Sequence, residues 1–252
     1  MQRDYVARRI VATESRNLSM AGRAGIRTFG LTLLGHSLSQ YRKNASASIA
    51  NLSMAEVIRA LMNAHTMNRF HHWYCRSSVW KRRIETELMP WALNGATLLE
   101  PALEIGPGPG ITTEYLRARV QSLTALERDA VLANHLGQRF RRTNVRVIEG
   151  DATAMPFENG SFRGVFCFTM LHHVPSAALQ DRLVAEAFRV LAPGGVFLGT
   201  DSRMSLRMKL FHWFDTMVIV DPQTFPMRLR RAGFTDGRVE LSESAFRFCA
   251  RR

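Results

Sequence analysis

The stretch Ala102–Thr113 constrains the fold more than any other part of the sequence. An apolar run leads into three glycines at every second position, Gly106, Gly108 and Gly110, and helix-forming residues follow. This order predicts a buried strand, a tight turn and the start of a helix. Glycine lets a backbone approach a ligand closely, and a helix start offers free N–H groups. The stretch therefore predicts a turn that holds a small polar ligand against its backbone.

The spacing of the glycines narrows the choice of ligand. Gly106 and Gly108 fit the dinucleotide pattern G-x-G-x-x-G/A, but Ile111 occupies its last position. With Glu104 two residues before the first glycine, E-x-G-x-G-x-G resembles motif I of class I S-adenosylmethionine (SAM) methyltransferases. The resemblance implies that the turn, including Gly110, faces the methionine and ribose portion of SAM, and that Glu104 orients its amino end. The alternative is an ordinary strand–helix turn.

Acidic residues follow the next two predicted strands. Glu127 comes directly after an apolar run, where a carboxylate can accept both ribose hydroxyls of an adenosine. Asp129 is an alternative for this role, and a surface helix cap is an alternative for Glu127. Asp151 follows the third strand and is placed to accept a hydrogen bond from the adenine amino group. The main chain of Ala152 is placed to meet the edge of the adenine ring.

The fourth strand, predicted at Gly164–Thr169, ends in a histidine-rich segment. In the methyltransferase family the end of this strand faces the transferring methyl group, which places Thr169 among the cofactor residues. His172 and His173 come next. Imidazole titrates near neutral pH, so both are candidates for a general base. The alternative is that they cap a helix or pack in the interior.

The C-terminal half also resembles the methyltransferase family. Arg189–Gly195 matches the motif R-V-L-x-P-G-G, which leads into a fifth strand at Val196–Thr200, and Arg238–Leu241 with Ala245–Ala250 predicts a terminal hairpin. The resemblance covers the chain from about Met67 to the end. It implies an α/β domain with a Rossmann-like, seven-stranded sheet, helices on both faces, an antiparallel C-terminal hairpin and an N-terminal helical extension.

Two further segments predict contacts with the acceptor. In many small-molecule methyltransferases an N-terminal helical segment covers the mouth of the active site, which makes His71 and Tyr74 substrate candidates. The apolar segment Ser202–Val220 lies where such enzymes insert a substrate-binding lid, which adds His212 and Trp213. For both segments the alternative is packing against the domain.

Residues 1–66 differ from the rest because they are rich in Arg and Ser. We interpret them as a basic extension outside the methyltransferase domain of residues 67–252. A disordered tail, a start codon assigned too early and a transit peptide all fit this composition. The formal net charge of +13 is compatible with nucleic acid or an anionic membrane surface. Because the basic residues are scattered, we expect a solvated basic surface and no nucleic-acid partner.

Hydrophobic runs and cysteines limit the possible location and metal content of the protein. No apolar run approaches the roughly 20 residues of a membrane span. The three cysteines (Cys75, Cys167 and Cys249) have neither disulfide nor metal-ligand spacing, so we expect a reducing, cytoplasmic location and no metal site. The sequence leaves the oligomeric state open.

The sequence lacks motifs that are typical of three classes of methyltransferase, which narrows the range of possible acceptors. Enzymes that methylate amino groups of nucleic-acid bases usually carry Asp/Asn-Pro-Pro-aromatic after strand four, whereas here the sequence is Thr169-Met170-Leu171-His172. The Pro-Cys nucleophile of carbon-5 cytosine enzymes and the paired-Glu loop of protein arginine enzymes are absent as well. We therefore predict a SAM-dependent methyltransferase acting on a small, apolar metabolite. The alternatives are an RNA-directed methyltransferase and a non-catalytic SAM-binding module.

Overall fold

Seven strands form one sheet with the order β3-β2-β1-β4-β5-β7-β6 in the part of the chain that the structure describes, residues 73–205 and 217–252. The structure is a computed structural model. All described residues belong to the unit of the chain that begins at Met67. The strands are β1 Ala102–Ile105, β2 Leu123–Glu127, β3 Val145–Glu149, β4 Phe162–Phe168, β5 Leu191–Ser202, β6 Thr235–Leu241 and β7 Ala245–Arg251.

The central strand β1 marks the point where the strand order reverses. It pairs in parallel with β2 on one side and with β4 on the other. Strands β3 and β5 extend the parallel part, whereas β7 runs antiparallel to β5 and β6. In open α/β sheets ligands bind outside the carboxyl ends of the strands at such a switch point. The topology therefore places the candidate site beyond Ile105 and its neighbours.

Helices cover both faces of this sheet. Their bounds are α1 Ser78–Arg83, a π-helical turn Ile84–Leu88, α2 Met89–Ala92, α3 Ile111–Arg117, α4 Ala130–Phe140, a 3-10 turn Leu171–His173, α5 Ala177–Val190 and α6 Phe225–Arg231. Alternation along β4 sends Val165 and Cys167 into the core beneath α5 and α6. Phe166 and Phe168 point into the second core, beneath α3 and α4. This mixed sheet between two helical layers confirms the predicted fold class.

Strand β5 is longer than the sequence indicated. We predicted Val196–Thr200, but the strand extends to Ser202, because β7 pairs with it from Val196 to Ser202. Asp201 therefore lies inside the strand rather than in the following loop. The predicted terminal hairpin is confirmed as β6 and β7.

Among the described residues, no helix is long and apolar enough to cross a membrane. The same residues contain no group of three or more His, Cys, Asp or Glu side chains that could hold a metal ion.

Candidate cofactor and active site

The glycine turn after β1 requires glycine for two different reasons. All three glycines have positive φ, with values of 64° at Gly106, 55° at Gly108 and 81° at Gly110. A Cβ on Gly106 would lie 2.4 Å from Cγ of Met170, and one on Gly110 would lie 2.5 Å from Cδ2 of Leu136. A Cβ on Gly108 would meet no atom within 4 Å. The first and third glycines are therefore fixed by packing, while the middle glycine borders open space.

Glu104 fastens the end of β1 to the start of α3. Its side chain is buried, and its two carboxylate oxygens accept hydrogen bonds from the hydroxyls of Thr112 and Thr113 at 2.5 and 2.6 Å. Burial raises the pKa of Glu104 from 4.5 to about 7, the two hydroxyls oppose this rise, and nearby Glu127 adds to it. Glu104 therefore stabilises the turn from below, and its predicted contact with the amino end of SAM stays a prediction.

Glu127 connects the end of β2 to the glycine turn. One carboxylate oxygen accepts the Gly108 N–H at 3.0 Å, and the other accepts the Asp129 N–H at 2.9 Å. Burial raises the pKa of Glu127, and these backbone hydrogen bonds oppose the rise. A carboxylate has about four acceptor sites, so lone pairs remain for further donors. Asp129 itself caps α4 by accepting the N–H groups of Val131 and Leu132 at 2.8 and 2.9 Å. Asp129 thus acts as a helix cap, and the predicted contact of Glu127 with the ribose stays a prediction.

Asp151 lies at the same edge of the sheet, two residues after the end of β3. One of its oxygens accepts both the backbone N–H and the hydroxyl of Thr153, each at 2.8 Å. Its other oxygen is 3.8 Å from Nε of Arg128 in a half-exposed ion pair. Ala152 is half-buried beside it. Both residues stand next to Glu127, because β3 pairs with β2, but their predicted contacts with adenine stay predictions.

Thr169 leaves β4 with an unusual backbone. Its φ is 50°, in the left-handed region that residues with a Cβ rarely adopt, and its N–H donates to the carbonyl of Thr200 at 2.8 Å. This conformation directs the chain into Met170, whose side chain fills the space beneath Gly106. Strained residues of this kind cluster at ligand sites. The structure thus brings Thr169 to the glycine turn.

A buried pair of side chains, His172 and Asp201, joins the ends of β4 and β5. Their exposed fractions are 3% and 0%, and Nδ1 of His172 contacts Oδ1 of Asp201. The backbone N–H of His172 donates to Oδ2 at 2.8 Å, and that of Ser202 donates to Oδ1 at 2.7 Å. A neutral imidazole that donates from Nδ1 presents Nε2 as an acceptor. The ring of His173 lies 4.1 Å from that of His172.

Sequence reasoning named both histidines and missed Asp201. The available signal was an acid directly after the apolar run Val196–Thr200, the same kind of signal that identified Glu127. Asp201 and His172 are 29 residues apart, so only the parallel pairing of β4 with β5 brings them together.

Of the four acceptor candidates, only Tyr74 is among the described residues. It is half-buried, and its ring centroid lies 5.5 Å from that of Trp80. His71, His212 and Trp213 lie outside the described residues. Just after the second undescribed stretch, the N–H of Val218 donates to the carbonyl of His172 at 2.8 Å. The apolar segment thus returns to the sheet beside the His172–Asp201 pair.

Comparison with known proteins identifies the domain. Residues 103–199 match the family model described as "Methyltransferase domain", and this range holds the glycine turn, Glu127, Asp151 and the histidines. Residues 103–199 therefore carry a methyltransferase domain, and the sheet has the fold of class I methyltransferases. The solved structure of the N-methyltransferase NodS from Bradyrhizobium japonicum WM9 with S-adenosyl-L-homocysteine superposes with a TM-score of 0.56. At 18% identity, over 76% of this chain and 96% of that chain, the likeness shows a shared fold.

Curated relatives of this methyltransferase domain differ in their acceptors. The fatty-acid O-methyltransferase of Mycolicibacterium smegmatis is 33% identical over 103 residues, which are 40% of this chain and 36% of that protein. The ribosomal RNA small subunit methyltransferase A of Acidobacterium capsulatum is 52% identical over 140 residues, 49% of each chain. The chain thus spans about half or less of these relatives, and what it shares with them leaves the acceptor open.

Proposed function

We propose that the protein binds SAM in front of the glycine turn and transfers its methyl group to a small, apolar acceptor. One observation carries the proposal. Gly108, where an added Cβ would meet no atom within 4 Å, donates its N–H to the buried carboxylate of Glu127. This arrangement fixes a bidentate acceptor beside a turn that a ligand can approach to van der Waals distance.

The residues at this edge fit SAM. Glu127 retains acceptor capacity for the two ribose hydroxyls, and Asp151 and Ala152 stand beside it for the adenine. The turn at Gly108 and the strained Thr169 border the place left for the methionine portion. When bound, SAM supplies an activated, positively charged sulfonium methyl group. The protein's own contribution is to orient the two reactants and to exclude water, which removes much of the entropic barrier to an in-line displacement.

His172 is our candidate for the group that accepts a proton from the acceptor. Asp201 contacts its Nδ1 and also accepts its backbone N–H, which together fix the orientation of the ring at the end of β4. An acceptor hydroxyl must lose a proton during transfer, whereas a carboxylate is already ionised near pH 7. Replacement of His172 is therefore expected to slow methylation of hydroxyl acceptors and to leave methylation of carboxylate acceptors nearly unchanged.

The preference for a small acceptor rests on two observations. The segment Thr169–His172 lacks the Pro-Pro-aromatic sequence typical of enzymes that methylate amino groups of nucleic-acid bases. In addition, His172 is almost fully buried, which favours a small acceptor over a folded RNA as the molecule that reaches it. The similarity to a fatty-acid O-methyltransferase supports a long-chain carboxylate as the first acceptor class to test. The expectation that residues 1–66 lie outside the catalytic domain belongs to the same proposal.

Calorimetry and a product assay test this function. We expect SAM to bind with a micromolar dissociation constant and NAD to give no heat. S-adenosylhomocysteine formation is then measured with fatty acids of increasing chain length, with hydroxylated aromatic acceptors and with a ribosomal RNA transcript. Turnover on RNA alone would replace the small-molecule assignment, and SAM binding without turnover on any acceptor would favour a non-catalytic module. Heat from NAD with none from SAM would refute the proposal as a whole.

A further inference from the structure

A cavity lies against the glycine turn and shares Gly108 with the proposed cofactor site, but none of the acids assigned to SAM lines it. Its volume is about 450 Å³, within the range of small-molecule sites. It is a cleft open to solvent, bordered by the start of α1, by the turn residues Gly108 and Pro109, and by the facing sides of α3 and α4. Within the described part of the chain, none of Glu127, Asp151 and Thr169 lines it. It therefore adjoins the proposed cofactor site at Gly108, while its other lining residues differ from those assigned to SAM.

The rim of this cavity is strongly cationic. Arg76, Lys81 and Arg139 line it, and Glu114 is its single acid within the described residues. Glu114 is already neutralised by Arg117 and by Arg139, the latter at 3.1 Å. These ion pairs lower the pKa of Glu114, the hydrogen bond from Arg117 being the largest cause. Glu114 therefore offers no charge to the other cations of the rim.

Two of these cationic side chains have few hydrogen-bond or ion-pair partners among the described residues. The side chain of Arg76 forms no hydrogen bond or ion pair among the described residues. Lys81 has only Glu85, at 3.8 Å in an exposed pair, which contributes little. His135 and the hydroxyl of Ser78 line the same rim and add further hydrogen-bond donors. The rim thus presents several donors and a positive charge that the described protein does not neutralise.

The floor of the cavity is apolar. Leu132 and Leu136 of α4 are buried there, and Ile111 and Pro109 complete the lining beside them. An arginine fork and an ammonium group bind phosphate and carboxylate oxygens through charge-assisted hydrogen bonds. An apolar floor contributes binding energy only to a ligand that also has a hydrocarbon or aromatic body. Rim and floor together select for an amphipathic anion.

We propose that this cavity binds a small organic oxyanion, a phosphate or carboxylate carried on an apolar body, at a site that adjoins the proposed SAM site. Arg76 and Lys81 hold the anionic head, and Leu132 and Leu136 contact the body. Because the backbone of Gly108 and Pro109 forms one wall, the bound anion touches the outer side of the turn whose inner side faces the cofactor. The proposal stands whether or not the protein transfers a methyl group.

Phenyl phosphate is a suitable probe, because it combines a doubly charged head with a compact apolar body. Calorimetry on the full chain compares it with inorganic phosphate, which lacks the body, and with benzyl alcohol, which lacks the charge. We expect saturable binding of phenyl phosphate at least tenfold tighter than either comparison compound. The double variant Arg76→Gln/Lys81→Gln is expected to weaken it by a further tenfold or more. Arg82→Gln, an exposed arginine on α1 that does not line the cavity, is the matched control and should bind normally.

Two further measurements make the test decisive. Glu127→Ala should lose SAM affinity and keep phenyl phosphate affinity, which separates this site from the proposed cofactor site. Loss of both would place the probe in the cofactor site and overturn the proposal. Equal binding of phenyl phosphate and inorganic phosphate, or normal binding by the folded double variant, would also overturn it. The proposal would also be overturned if a short single-stranded RNA bound through Arg76 and Lys81 and phenyl phosphate did not bind, because the surface would then be a nucleic-acid site.

Discussion

Replacement of Glu104 by glutamine tests the electrostatics beneath the glycine turn. Burial raises the pKa of this carboxyl from 4.5 to about 7 in the folded protein. The folded state therefore binds more protons than the unfolded chain between these two pKa values. The resulting stabilisation is fully present below pH 4.5 and is lost as pH rises through 7. At 1.36 kcal/mol per pKa unit the whole effect is about 3 kcal/mol.

Most of this change falls within an accessible pH range. Between pH 5 and 8, the Glu104 carboxyl should lower the free energy of unfolding by about 2–3 kcal/mol. Glu104→Gln has no carboxyl to ionise, and its amide can still pair with the hydroxyls of Thr112 and Thr113. We expect the variant to lose the Glu104 part of the pH dependence, so that its stability relative to the wild type rises as pH increases.

Urea unfolding at pH 5, 6, 7 and 8 without ligand, followed by tryptophan fluorescence and circular dichroism, measures this difference. Glu158→Gln, which removes an exposed carboxylate outside the site, controls for the loss of one negative charge. Wild-type and Glu104→Gln curves that stay parallel within about 0.5 kcal/mol across this range would refute the reasoning. The burial of Glu104 would then be matched by interactions that stabilise its ionised form.

The remaining predictions concern the ligand side of the site. Glu127→Ala should weaken SAM binding by roughly 10- to 100-fold in calorimetry, because hydrogen bonds to a charged group are lost; unchanged affinity would move the ribose role to Asp129. Gly108→Ala should fold but bind SAM weakly, whereas Gly106→Ala should lower the melting temperature, because its Cβ would collide with a neighbouring side chain. A larger loss of melting temperature for Gly108→Ala than for Gly106→Ala would contradict the packing argument. Asp201→Asn should reduce kcat on a hydroxyl acceptor and change its pH profile, with the SAM dissociation constant and KM unchanged; equal loss on a carboxylate acceptor would indicate a purely structural role.

Several strands and turns were predictable from the sequence, because apolar runs and glycine turns are local signals, whereas the seven-stranded sheet was implied by the family resemblance. The glycine turn, the strand that ends at Glu127 and the terminal hairpin all lie where local patterns placed them. Interactions that depend on strand pairing were not predictable in this way. Asp201 was missed because the predicted fifth strand stopped one residue short and its partner, His172, is remote in sequence.

The threonines that bind Glu104 illustrate a second limit. Thr112 and Thr113 looked like ordinary residues in the first turn of a helix. Only the sharp turn through three left-handed glycines folds that helix back over the end of β1 and brings both hydroxyls to the carboxylate. The sequence indicates that such a turn exists, but the direction in which it sends the helix depends on packing against residues such as Leu136.

The carboxyl edge of the sheet carries acidic side chains, although the chain as a whole has a positive net charge. The net charge is +13, yet Glu104, Glu127 and Asp201 are almost fully buried at this edge. Burial raises the pKa of the nearby Cys167 thiol, and the negative charges of Asp201 and Glu104 raise it further.

This contrast bears on cofactor choice. Glu104 and Glu127 are held by hydroxyl and backbone N–H groups, and among the described residues no Lys or Arg forms an ion pair with either. Buried carboxylates without a cation are costly, so a ligand that brings positive charge recovers part of that cost. SAM carries a sulfonium, an ammonium and a carboxylate group and so has a net charge of about +1, whereas the pyrophosphate of NAD would bring two negative charges to the same edge. The buried acids therefore favour SAM over a dinucleotide on electrostatic grounds alone, independently of the glycine spacing.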